Sequence, residues 1–445
     1  MKLAVIGTGI SGLSAAWALR DVHEVTVFEK ADRLGGHSNT VTVDYEGTSI
    51  PVDTGFIVYN ALNYPNLIAL FEALQVQTKP SDMSFSVRDG QPGSEWGSDG
   101  VPGFFAWKRN IFAWSHWALL GEMIQFNAKA QKDADNPLLN ELTLGSYCAK
   151  LGLSTHFLER YLVPMGAAIW STPEQGMLDY PAASFIKFFN NHRLVHFERP
   201  NWRTVTGGSQ SYVQAIGKEL GARVKLQCSV TAIRRTENGV EIEAEGTTQK
   251  FDQVILACHS DEALALLSDP TEAETAILGA IRYAPNVAVL HRDPSFMPQR
   301  KAAWASWNVA RGNRKAPIEL TYWMNRLQGI DPNFPLFVTL NPAREVNSDL
   351  VFATIPYAHP QFDHQAARAQ KGLAYIQGVQ KTWFAGAWQG YGFHEDGLRA
   401  GLRVALKLGG KVPWNFIDDD IVRDEVSPMT GPALGVLAPE LGLVS

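Results

Sequence analysis

Three glycines near the start of the chain have the spacing that binds the pyrophosphate of a dinucleotide. The run GTGISG places Gly7, Gly9 and Gly12 directly after an apolar segment. In this motif the first glycine permits a tight turn, the second lets the backbone approach the pyrophosphate, and the third lets a helix pack closely on a strand. The N-terminus of that helix supplies free N–H groups that can bind phosphate oxygens, and Ile10 and Ser11, which lie between the glycines, are expected at the same site. We therefore expect a dinucleotide site here.

Two further segments extend this predicted site. Glu29 ends a second apolar run, where a carboxylate can accept hydrogen bonds from the hydroxyls of a ribose. The segment KADRLGGHS (residues 30–38) contains two adjacent glycines, which let the backbone pass close to a pyrophosphate. The segment DTGF (residues 53–56) follows at the end of a predicted strand.

Aromatic residues and a histidine near the C-terminus are candidates for catalysis. Trp388 and Tyr391 could flank a substrate, and His394 could move a proton because the ordinary pKa of histidine lies near neutral pH. Glu395 is an alternative base, but we prefer to interpret it as a cap of the helix that follows, together with Asp396. Further candidates, each of which could equally pack in a core, are Trp170, Tyr180, His196, Trp202, His359 and Phe393.

Strands and helices alternate around these motifs, which predicts a parallel sheet with crossover helices. The predicted strands are Lys2–Ile6, His23–Phe28, Val224–Cys228, Val230–Ile233, Asp252–Ala257 and Trp383–Ala387, with a hairpin over 239–251. The predicted helices are Leu13–Arg20, Gln210–Leu220 and Leu398–Leu408. Residues 76–202 look helical, and a later region holds strand candidates at Val287–Leu290, Leu320–Trp323 and Leu336–Thr339.

Composition excludes several classes of protein. The 445 residues include 39 Lys and Arg against 45 Asp and Glu, a net charge of −6, which argues against nucleic acid as a partner. Apolar residues make up 45%, enough for a folded core of two or three domains. The three cysteines form no CxxC pair, so we expect no disulfide framework, no metal site and a reducing, cytoplasmic compartment. No apolar run is long enough to span a membrane.

Residues 96–126 are unusually rich in aromatic side chains. Trp and Phe recur through this segment, with Lys108 and Arg109 among them. One interpretation is that the aromatics pack a helical region onto the rest of the chain. The other is a peripheral contact with the inner face of a membrane or an entrance for an apolar substrate, because such side chains favour a membrane–water interface. Both interpretations stay open, and they can coexist.

Segments spread over the chain resemble the flavin-containing amine oxidoreductase and phytoene-desaturase superfamily. They are VDTGFIVYN (52–60), PMGAAIWSTP (164–173), RPNWRTVTGGSQSYV (199–213) and WFAGAWQGYGFHEDGLRAGLRVA (383–405). The Arg33-x-Gly35-Gly36 pattern resembles the second glycine motif of its members. Within the superfamily, the sequence is most similar to a bacterial group of predicted NAD/FAD-binding, FAD-dependent oxidoreductases.

The resemblance implies an α/β fold of the two-dinucleotide-binding-domain flavoprotein type, with FAD as the cofactor. A discontinuous, Rossmann-like FAD-binding domain would comprise residues 1–75, 203–265 and 370–420, and an inserted α+β substrate-binding domain residues 76–202 and 266–369, followed by a C-terminal tail over 421–445. The residues expected to bind FAD are Gly7, Gly9, Ile10, Ser11, Gly12, Glu29, Lys30, Arg33, Gly35, Gly36, His37, Thr54, Gly55, Phe56, Val230, Gly386, Glu395, Asp396, Gly397 and Leu398.

The sequence departs from the pattern of the superfamily at its C-terminal motif. Many relatives have an acidic residue directly after the strand-end glycine, where this chain has Ala387 and Trp388. The contact that the acidic residue makes with the ribityl chain is therefore not expected at this position. The motif also lacks a cysteine, which argues against a cysteinyl flavin. A histidyl link through His37 or His394 stays open.

The implied activity is that of an FAD-dependent oxidoreductase that transfers a hydride from a substrate carbon to flavin N5. Members of the bacterial group are often encoded beside cyclopropane-fatty-acid-synthase-like methyltransferases, so our leading hypothesis is a fatty-acyl substrate, such as an acyl chain of a membrane lipid. The alternatives are an amine oxidase acting on a soluble amine, and a non-redox flavin-dependent isomerase or mutase.

Overall fold

The computed structural model describes residues 1–89, 93–170, 173–196, 198, 200–312 and 318–418, and within them the strands form five sheets. In chain order the strands are β1 (Lys2–Ile6), β2 (Glu24–Phe28), β3 (Thr40–Tyr45), β4 (Thr48–Asp53), β5 (Tyr59–Asn60), β6 (Thr78–Pro80), β7 (Phe85–Arg88), β8 (Trp96–Gly97), β9 (Trp202–Val205), β10 (Val224–Lys225), β11 (Val230–Thr236), β12 (Gly239–Ala244), β13 (Thr247–Phe251), β14 (Gln253–Leu256), β15 (Tyr283–His291), β16 (Trp307–Ala310), β17 (Glu319–Trp323), β18 (Phe337–Leu340), β19 (Val351–Pro360) and β20 (Thr382–Phe384).

Helices cover the sheets and make up most of residues 100–191. In chain order they are α1 (Ile10–Leu19), α2 (Pro65–Ala73), α3 (Gly100–Phe104), α4 (Trp114–Asp133), α5 (Leu144–Lys150), α6 (Thr155–Phe157), α7 (Val163–Trp170), α8 (Glu174–Met177), α9 (Ala182–Asn191), α10 (Gln210–Leu220), α11 (Ser260–Leu266), α12 (Glu272–Gly279), α13 (Met324–Gln328), α14 (His364–Gly372) and α15 (His394–Lys407). None of these described helices combines the length and the apolar character that crossing a bilayer requires.

A five-stranded parallel sheet, in the order β10-β2-β1-β14-β20, carries the first glycine motif. Its central strand β1 is buried over Leu3–Ile6, as expected for a strand covered on both faces. Helices α1 and α15 pack tightly together on this sheet, since a Cβ atom at Gly401 would lie 2.2 Å from the backbone oxygen of Ser11. The chain between β10 and β14 forms a three-stranded antiparallel sheet in the order β11-β12-β13.

A seven-stranded sheet forms the second large layer, in the order β19-β15-β18-β17-β16-β7-β8. Its neighbours are antiparallel except for the parallel pair of β7 and β16. Side chains of this sheet share one apolar core with helices α4–α9. The smaller sheets are the hairpin β3-β4 and the set β5-β9-β6.

The predicted α/β fold is confirmed, and several bounds of the predicted elements are wrong. Helix α1 begins at Ile10 instead of Leu13, and strand β20 ends at Phe384 instead of Ala387. Helix α15 begins at His394 instead of Leu398, because the Asp396 carboxylate accepts the backbone N–H of Phe393 and so caps the helix earlier. Residues 78–80, 85–88 and 96–97 lie in the region predicted to be helical but form the strands β6, β7 and β8, and β7 and β8 extend the seven-stranded sheet. Strand β10 ends at Lys225, three residues before the predicted end.

The parallel sheet is assembled from strands far apart in the chain, as a discontinuous domain requires, but the proposed domain boundaries stay a prediction. The predicted tail over 421–445 lies outside the described residues. The stretch before it packs on the protein, with Trp414 stacked on Trp17 at a ring-centroid distance of 5.9 Å.

Candidate functional site

A cavity of about 1240 Å³ runs between the parallel sheet and the seven-stranded sheet. It exceeds the roughly 300–1,000 Å³ of a typical small-molecule pocket. Most predicted site residues line it: Gly7, Gly9, Ile10, Ser11, Glu29, Lys30, Gly35, Gly36, His37, Thr54, Gly55, Phe56, Val230, Gly386, Trp388, Tyr391 and His394. The predicted residues that do not line it are Gly12, Arg33, Glu395, Asp396, Gly397 and Leu398.

The first glycine turn has the geometry that its spacing predicts. Gly7 has a φ of +99°, and Gly12 packs so closely that a Cβ atom there would lie 2.0 Å from the backbone oxygen of Gly7. A Cβ atom at Gly9 would meet nothing within 4 Å, so this side of the turn faces open space. Gly9 is also the N-cap of α1 and provides no side-chain cap, which leaves the first N–H groups of the helix available to a ligand.

The second glycine turn lies directly against the first. Gly35 and Gly36 have φ values of +106° and +55°, and a Cβ atom at Gly36 would lie 3.2 Å from the Cα of Gly9. The guanidinium of Arg33 donates hydrogen bonds to the backbone oxygens of Gly36 (2.9 Å) and Leu34 (3.3 Å). Arg33 therefore braces the turn instead of lining the cavity.

Glu29 is held in place at the end of β2. Its Oε2 accepts the backbone N–H of Thr8 at 2.9 Å, and its Oε1 accepts the N–H of Ala31 at 2.9 Å. The hydroxyl of Thr8 also donates to Oε2. These bonds fix the carboxylate beside the first glycine turn, where sequence reasoning expected a ribose.

A cluster of neutral histidines surrounds the second turn. His37 stacks on Tyr357 at 4.8 Å between ring centroids, and His359 and His259 lie 5.4 Å and 6.2 Å from it. Burial, followed by the neighbouring histidines, lowers the pKa of His37 well below its ordinary value, and burial lowers the pKa of His359 to about 4. Nε2 of His37 is buried and has no hydrogen-bond partner within the described residues.

His394 lies at the boundary between the nucleotide motifs and the rest of the cavity. Its ring stacks on Phe56 at 3.8 Å and 7°. Its Nε2 lies 2.9 Å from the Ser38 hydroxyl and 2.8 Å from the Tyr212 hydroxyl. Burial of the ring lowers the pKa of His394 to about 3, so the imidazole is neutral at physiological pH. This arrangement orients the ring, and it leaves Nε2 shared between two hydroxyls.

Glu395 caps a helix, as predicted, but that helix is α2 and not α15, to which Glu395 itself belongs. Its carboxylate accepts the backbone N–H groups of Asn66 and Leu67, at 3.0 Å and 2.9 Å, together with the Asn66 side chain. These N–H groups belong to the first turn of α2, so Glu395 joins α15 to α2. Burial raises the pKa of this carboxyl to about 6. Asp396 caps its own helix, as predicted, and pairs with Arg399 at 2.7 Å.

Two predicted binding residues, Gly397 and Leu398, serve helix packing. A Cβ atom at Gly397 would lie 2.8 Å from Cγ2 of Ile10, at the contact between α15 and α1, and Leu398 is fully buried. Trp388 lines the cavity but is mostly buried, and its indole N–H donates to the backbone oxygen of Cys258 at 3.2 Å.

The far part of the cavity is an apolar chamber. The apolar side chains that line it come from α4, α7, α9, the seven-stranded sheet and the segments that precede β7 and α7: Met83, Phe85, Trp96, Leu120, Met123, Ile124, Tyr161, Met165, Ile169, Trp170, Phe188, Trp307, Tyr322 and Leu340. Asn127, Gln131 and His192 are polar neighbours of this set in the lining. The acidic residues among the described lining, Glu29 and Glu262, both belong to the nucleotide end. Tyr391 faces Phe188 at 5.7 Å between centroids, where the chamber meets His394.

The chamber has an opening beside helix α4. Ile124, Ala128, Lys132 and Arg193 line the cavity and are also exposed to solvent. Among the other predicted residues, Trp170, His196, Trp202, His359 and Phe393 line the cavity, whereas Tyr180 lies behind Trp170 at 4.7 Å. Two cations therefore stand at the entrance to an apolar space.

Several residues of the site were missed from the sequence. Ser38 and Tyr212 hold His394, and Tyr357 and His259 complete the cluster around His37. Tyr357 and His359 alternate on β19, a pattern that places them on one face of the strand. That alternation was the available signal, but nothing in it indicates which surface the face meets.

Known proteins match this chain along most of its length. A family model described as flavin containing amine oxidoreductase matches residues 172–327, and an NAD(P)-binding Rossmann-like domain model matches residues 5–74. The first match covers about a third of the chain and the second about a sixth. Both support a place in the flavin-containing amine oxidoreductase superfamily.

Relatives within this superfamily differ in their named activities. A putative flavin-containing monoamine oxidase, AofH, of Mycobacterium tuberculosis is 26% identical over 280 residues, 61% of this chain and 59% of the relative. A 4,4'-diapophytoene desaturase of Staphylococcus aureus is 22% identical over 300 residues, 59% of this chain and 55% of the relative. The match thus spans less than two thirds of the length of either curated relative.

Solved structures share the fold of this chain at low sequence identity. Putrescine oxidase bound to putrescine superposes with a TM-score of 0.64 at 17% identity, covering 92% of this chain and 99% of that one. A fatty acid isomerase from P. acnes that produces CLA superposes with a TM-score of 0.64 at 15% identity, covering 91% and 98%.

FAD is the cofactor that these matches indicate, as predicted, and the residues present fit it. The two glycine turns form one continuous surface beside the uncapped N-terminus of α1, which suits a pyrophosphate. Glu29 is positioned for a ribose, and the unpartnered Nε2 of His37 provides a polar group for a bound ligand.

Proposed function

We propose that the protein is an FAD-dependent oxidoreductase that removes hydrogen from a carbon of a fatty-acyl substrate. The observation that carries this proposal is the continuity of the cavity, which joins the dinucleotide motifs to an apolar chamber. FAD, when bound, would accept two electrons and two hydrogens in all, one as the hydride from the reacting carbon and one as the proton lost from its neighbour, so that the acyl chain gains a double bond and FAD becomes FADH2. The chain supplies the binding surface, the orientation of the substrate and the exclusion of water.

The lining of the chamber favours an acyl chain over a soluble amine. Its aromatic, methionine and aliphatic side chains can surround a hydrocarbon and keep water out. An ammonium group would find no carboxylate among the described residues of the chamber. Lys132 and Arg193 at the opening suit a carboxylate or phosphate head group, which would leave the chain pointing inward.

The residues where the chamber meets the nucleotide motifs would orient the reacting carbon. Tyr391 and Phe188 form one wall, and the Phe56–His394 stack forms another. His394 is neutral, and its Nε2 lies between two hydroxyls, so its part in this arrangement is to hold Phe56. One relative is named as a desaturase, a reaction that removes hydrogen from carbon, which is consistent with the reaction proposed here.

Anaerobic reduction of the flavin tests the proposal. The holoenzyme is mixed with a dispersed fatty acid or phospholipid in one experiment and with soluble amines such as putrescine in another, and the flavin absorption bands are followed. We expect the acyl compound to bleach these bands and the amines to leave them unchanged. Bleaching by amines alone would establish an amine oxidase. If neither reduces the flavin but the pre-reduced enzyme rearranges the acyl compound, the protein is an isomerase.

Charge at the opening provides a matched test of the head group. We expect the double variant Lys132→Gln/Arg193→Gln to raise KM for a fatty acid about tenfold with kcat unchanged, because a charge-assisted hydrogen bond contributes about 1.5 kcal/mol. Lys129→Gln is the control, since Lys129 is exposed on the same helix but does not line the cavity. An equal KM for the double variant and the control would contradict the proposal that Lys132 and Arg193 bind the head group.

A further inference from the structure

The aromatic segment divides into a buried set and an exposed set. Trp96, Phe104 and Phe126 are buried in the core, which agrees with the packing interpretation. Phe112 and Trp114, however, are 91% and 83% exposed. Nearby Val101, Ile111 and Trp117 are also exposed. Large apolar side chains that are exposed together indicate an interaction site more often than isolated ones do.

Helix α4 continues this exposed surface to the opening of the cavity. The residues Trp114, Trp117, Gly121, Ile124 and Ala128 are all exposed, and their spacing of three and four places them along one face of the helix. Ile124 and Ala128 also line the cavity. We call this face, together with Phe112, the aromatic face. A molecule that covers it would therefore also cover the edge of the opening.

The charges around the aromatic face are positive, although the chain as a whole is acidic. Residues 100–121 contain Lys108 and Arg109 and no acidic residue. The guanidinium of Arg300 lies 4.3 Å from the ring centroid of the neighbouring Trp107, and Lys301 follows it at the surface. The carboxylate of Glu122, which comes next on α4, accepts hydrogen bonds from the backbone and hydroxyl of Ser154. The face thus combines apolar and cationic groups.

We propose that the aromatic face docks on the surface of an anionic phospholipid bilayer and places the opening of the cavity at the level of the acyl chains. Tryptophan and phenylalanine insert at the membrane–water boundary, and flanking lysine and arginine bind anionic head groups. A protein partner would need to match the whole face in shape, whereas a bilayer needs only its apolar and cationic character. This proposal rests on the proposed function, because it identifies where the acyl substrate enters.

Vesicle sedimentation tests the docking surface without any turnover. The holoenzyme is spun with vesicles of phosphatidylcholine, with or without a third of phosphatidylglycerol. We expect binding to the anionic vesicles, weakened by salt, and little binding to neutral ones. Phe112→Ser/Trp114→Ser should lower the partition coefficient at least tenfold. Lys108→Gln/Arg109→Gln should lower it by about thirtyfold for anionic vesicles only, since each basic residue contributes about 1 kcal/mol at such a surface.

Leu138→Ser is the matched control. Leu138 is 76% exposed but follows the C-terminal end of α4, whose 20 residues span about 30 Å, so it lies far from Trp114. Its variant should bind vesicles like the wild type. Flavin absorbance and Tm of each variant establish that it is folded and loaded.

Two results would overturn the docking proposal. The first is a wild type that sediments with neither vesicle, or an aromatic-face variant that binds as the wild type does. The second is light scattering that shows a dimer which Phe112→Ser/Trp114→Ser converts to a monomer, since the face would then join two copies. Flavin reduction by a detergent-dispersed fatty acid is measured separately, so the docking surface and the proposed function can fail independently.

Discussion

The two ends of the cavity are built in different ways. At the nucleotide end the wall is largely backbone, since Gly7, Gly35 and Gly36 bring two turns together where a Cβ atom would lie too close to neighbouring backbone atoms. In the chamber the wall is made of large side chains from helices and strands that are distant in sequence. The first end depends on a few positions of the backbone, and the second depends on volume and apolar character. The two ends should therefore respond differently to substitution.

The largest difference should appear when one carbon atom is added at the nucleotide end. In Gly12→Ala the new Cβ would meet a backbone oxygen at 2.0 Å, so strand and helix must separate, which we expect to cost about 3 kcal/mol or more. In Gly9→Ala the Cβ enters open space, so the stability of the apoprotein should stay within about 1 kcal/mol. FAD binding should be lost in both. Urea unfolding of the apoproteins and flavin absorbance of the purified variants measure the two effects, and equal stabilities would contradict the packing argument.

The same contrast explains how much the sequence alone could predict. Glycine turns have local signatures, because a positive φ or a close backbone approach excludes other residues, so Gly7, Gly12 and Gly36 could be assigned from spacing. Strand β1 was predicted with its observed bounds, because a buried parallel strand is a continuous apolar run. These features depend on neighbours in the chain.

The chamber and the histidine cluster could not be predicted in this way. Tyr212, His259 and Tyr357 meet the glycine motifs only through the fold, and nothing near them in sequence shows it. Glu395 shows the same limit, because its position before a helix suggested a local cap, while its real partners lie more than 300 residues earlier. Local propensity identifies a capping residue but does not identify the helix that it caps.

Glu395 connects α15 at the nucleotide end to α2, so its titration measures the stability of that junction. Its pKa of about 6 in the folded protein lies above the ordinary value of 4.5 because it is buried. Its contribution to stability is therefore complete below pH 4.5 and is lost as pH rises through 6, by about 2 kcal/mol. We expect Glu395→Gln to remove this part of the pH dependence. Asp53, whose pKa burial also raises to about 6, should supply a remaining dependence of the same sign.

Urea unfolding at pH 4.5 and pH 7.5 measures this effect as a difference between variant and wild type. The buried histidines contribute a dependence of opposite sign to both proteins, which cancels in that difference. Glu72→Gln, on an exposed position of α2, is the control and should behave as the wild type. If the free energy of unfolding changes with pH in the same way in Glu395→Gln and in the wild type, Glu395 does not have the raised pKa assigned to it.

A larger side chain in the chamber should leave the protein folded and loaded with flavin but should weaken the binding of a long acyl substrate. Met123→Trp fills space next to the opening, so we expect KM for a long acyl substrate to rise about tenfold while flavin absorbance stays unchanged, a cost of about 1.4 kcal/mol in binding. The control is Gln125→Trp, at an exposed position of α4 that does not line the cavity. Short-chain substrates should distinguish blocked volume from a general defect, since they should be affected less. A loss of flavin from Met123→Trp would show that the two ends are not independent.

His394 lies where the two ends meet, and its protonation should leave catalysis unchanged. With a pKa lowered to about 3 by burial, it stays neutral from pH 5 to pH 9, and the pH profile of kcat/KM should show no inflection from it. His394→Gln should keep the shape of that profile and lower kcat less than tenfold, through loss of the stack on Phe56. Tyr212→Phe removes one hydroxyl from Nε2 and should have a smaller effect of the same kind. An inflection near pH 6.5 that disappears in His394→Gln would instead make His394 the proton acceptor, and the boundary between the two ends would then be the catalytic centre itself.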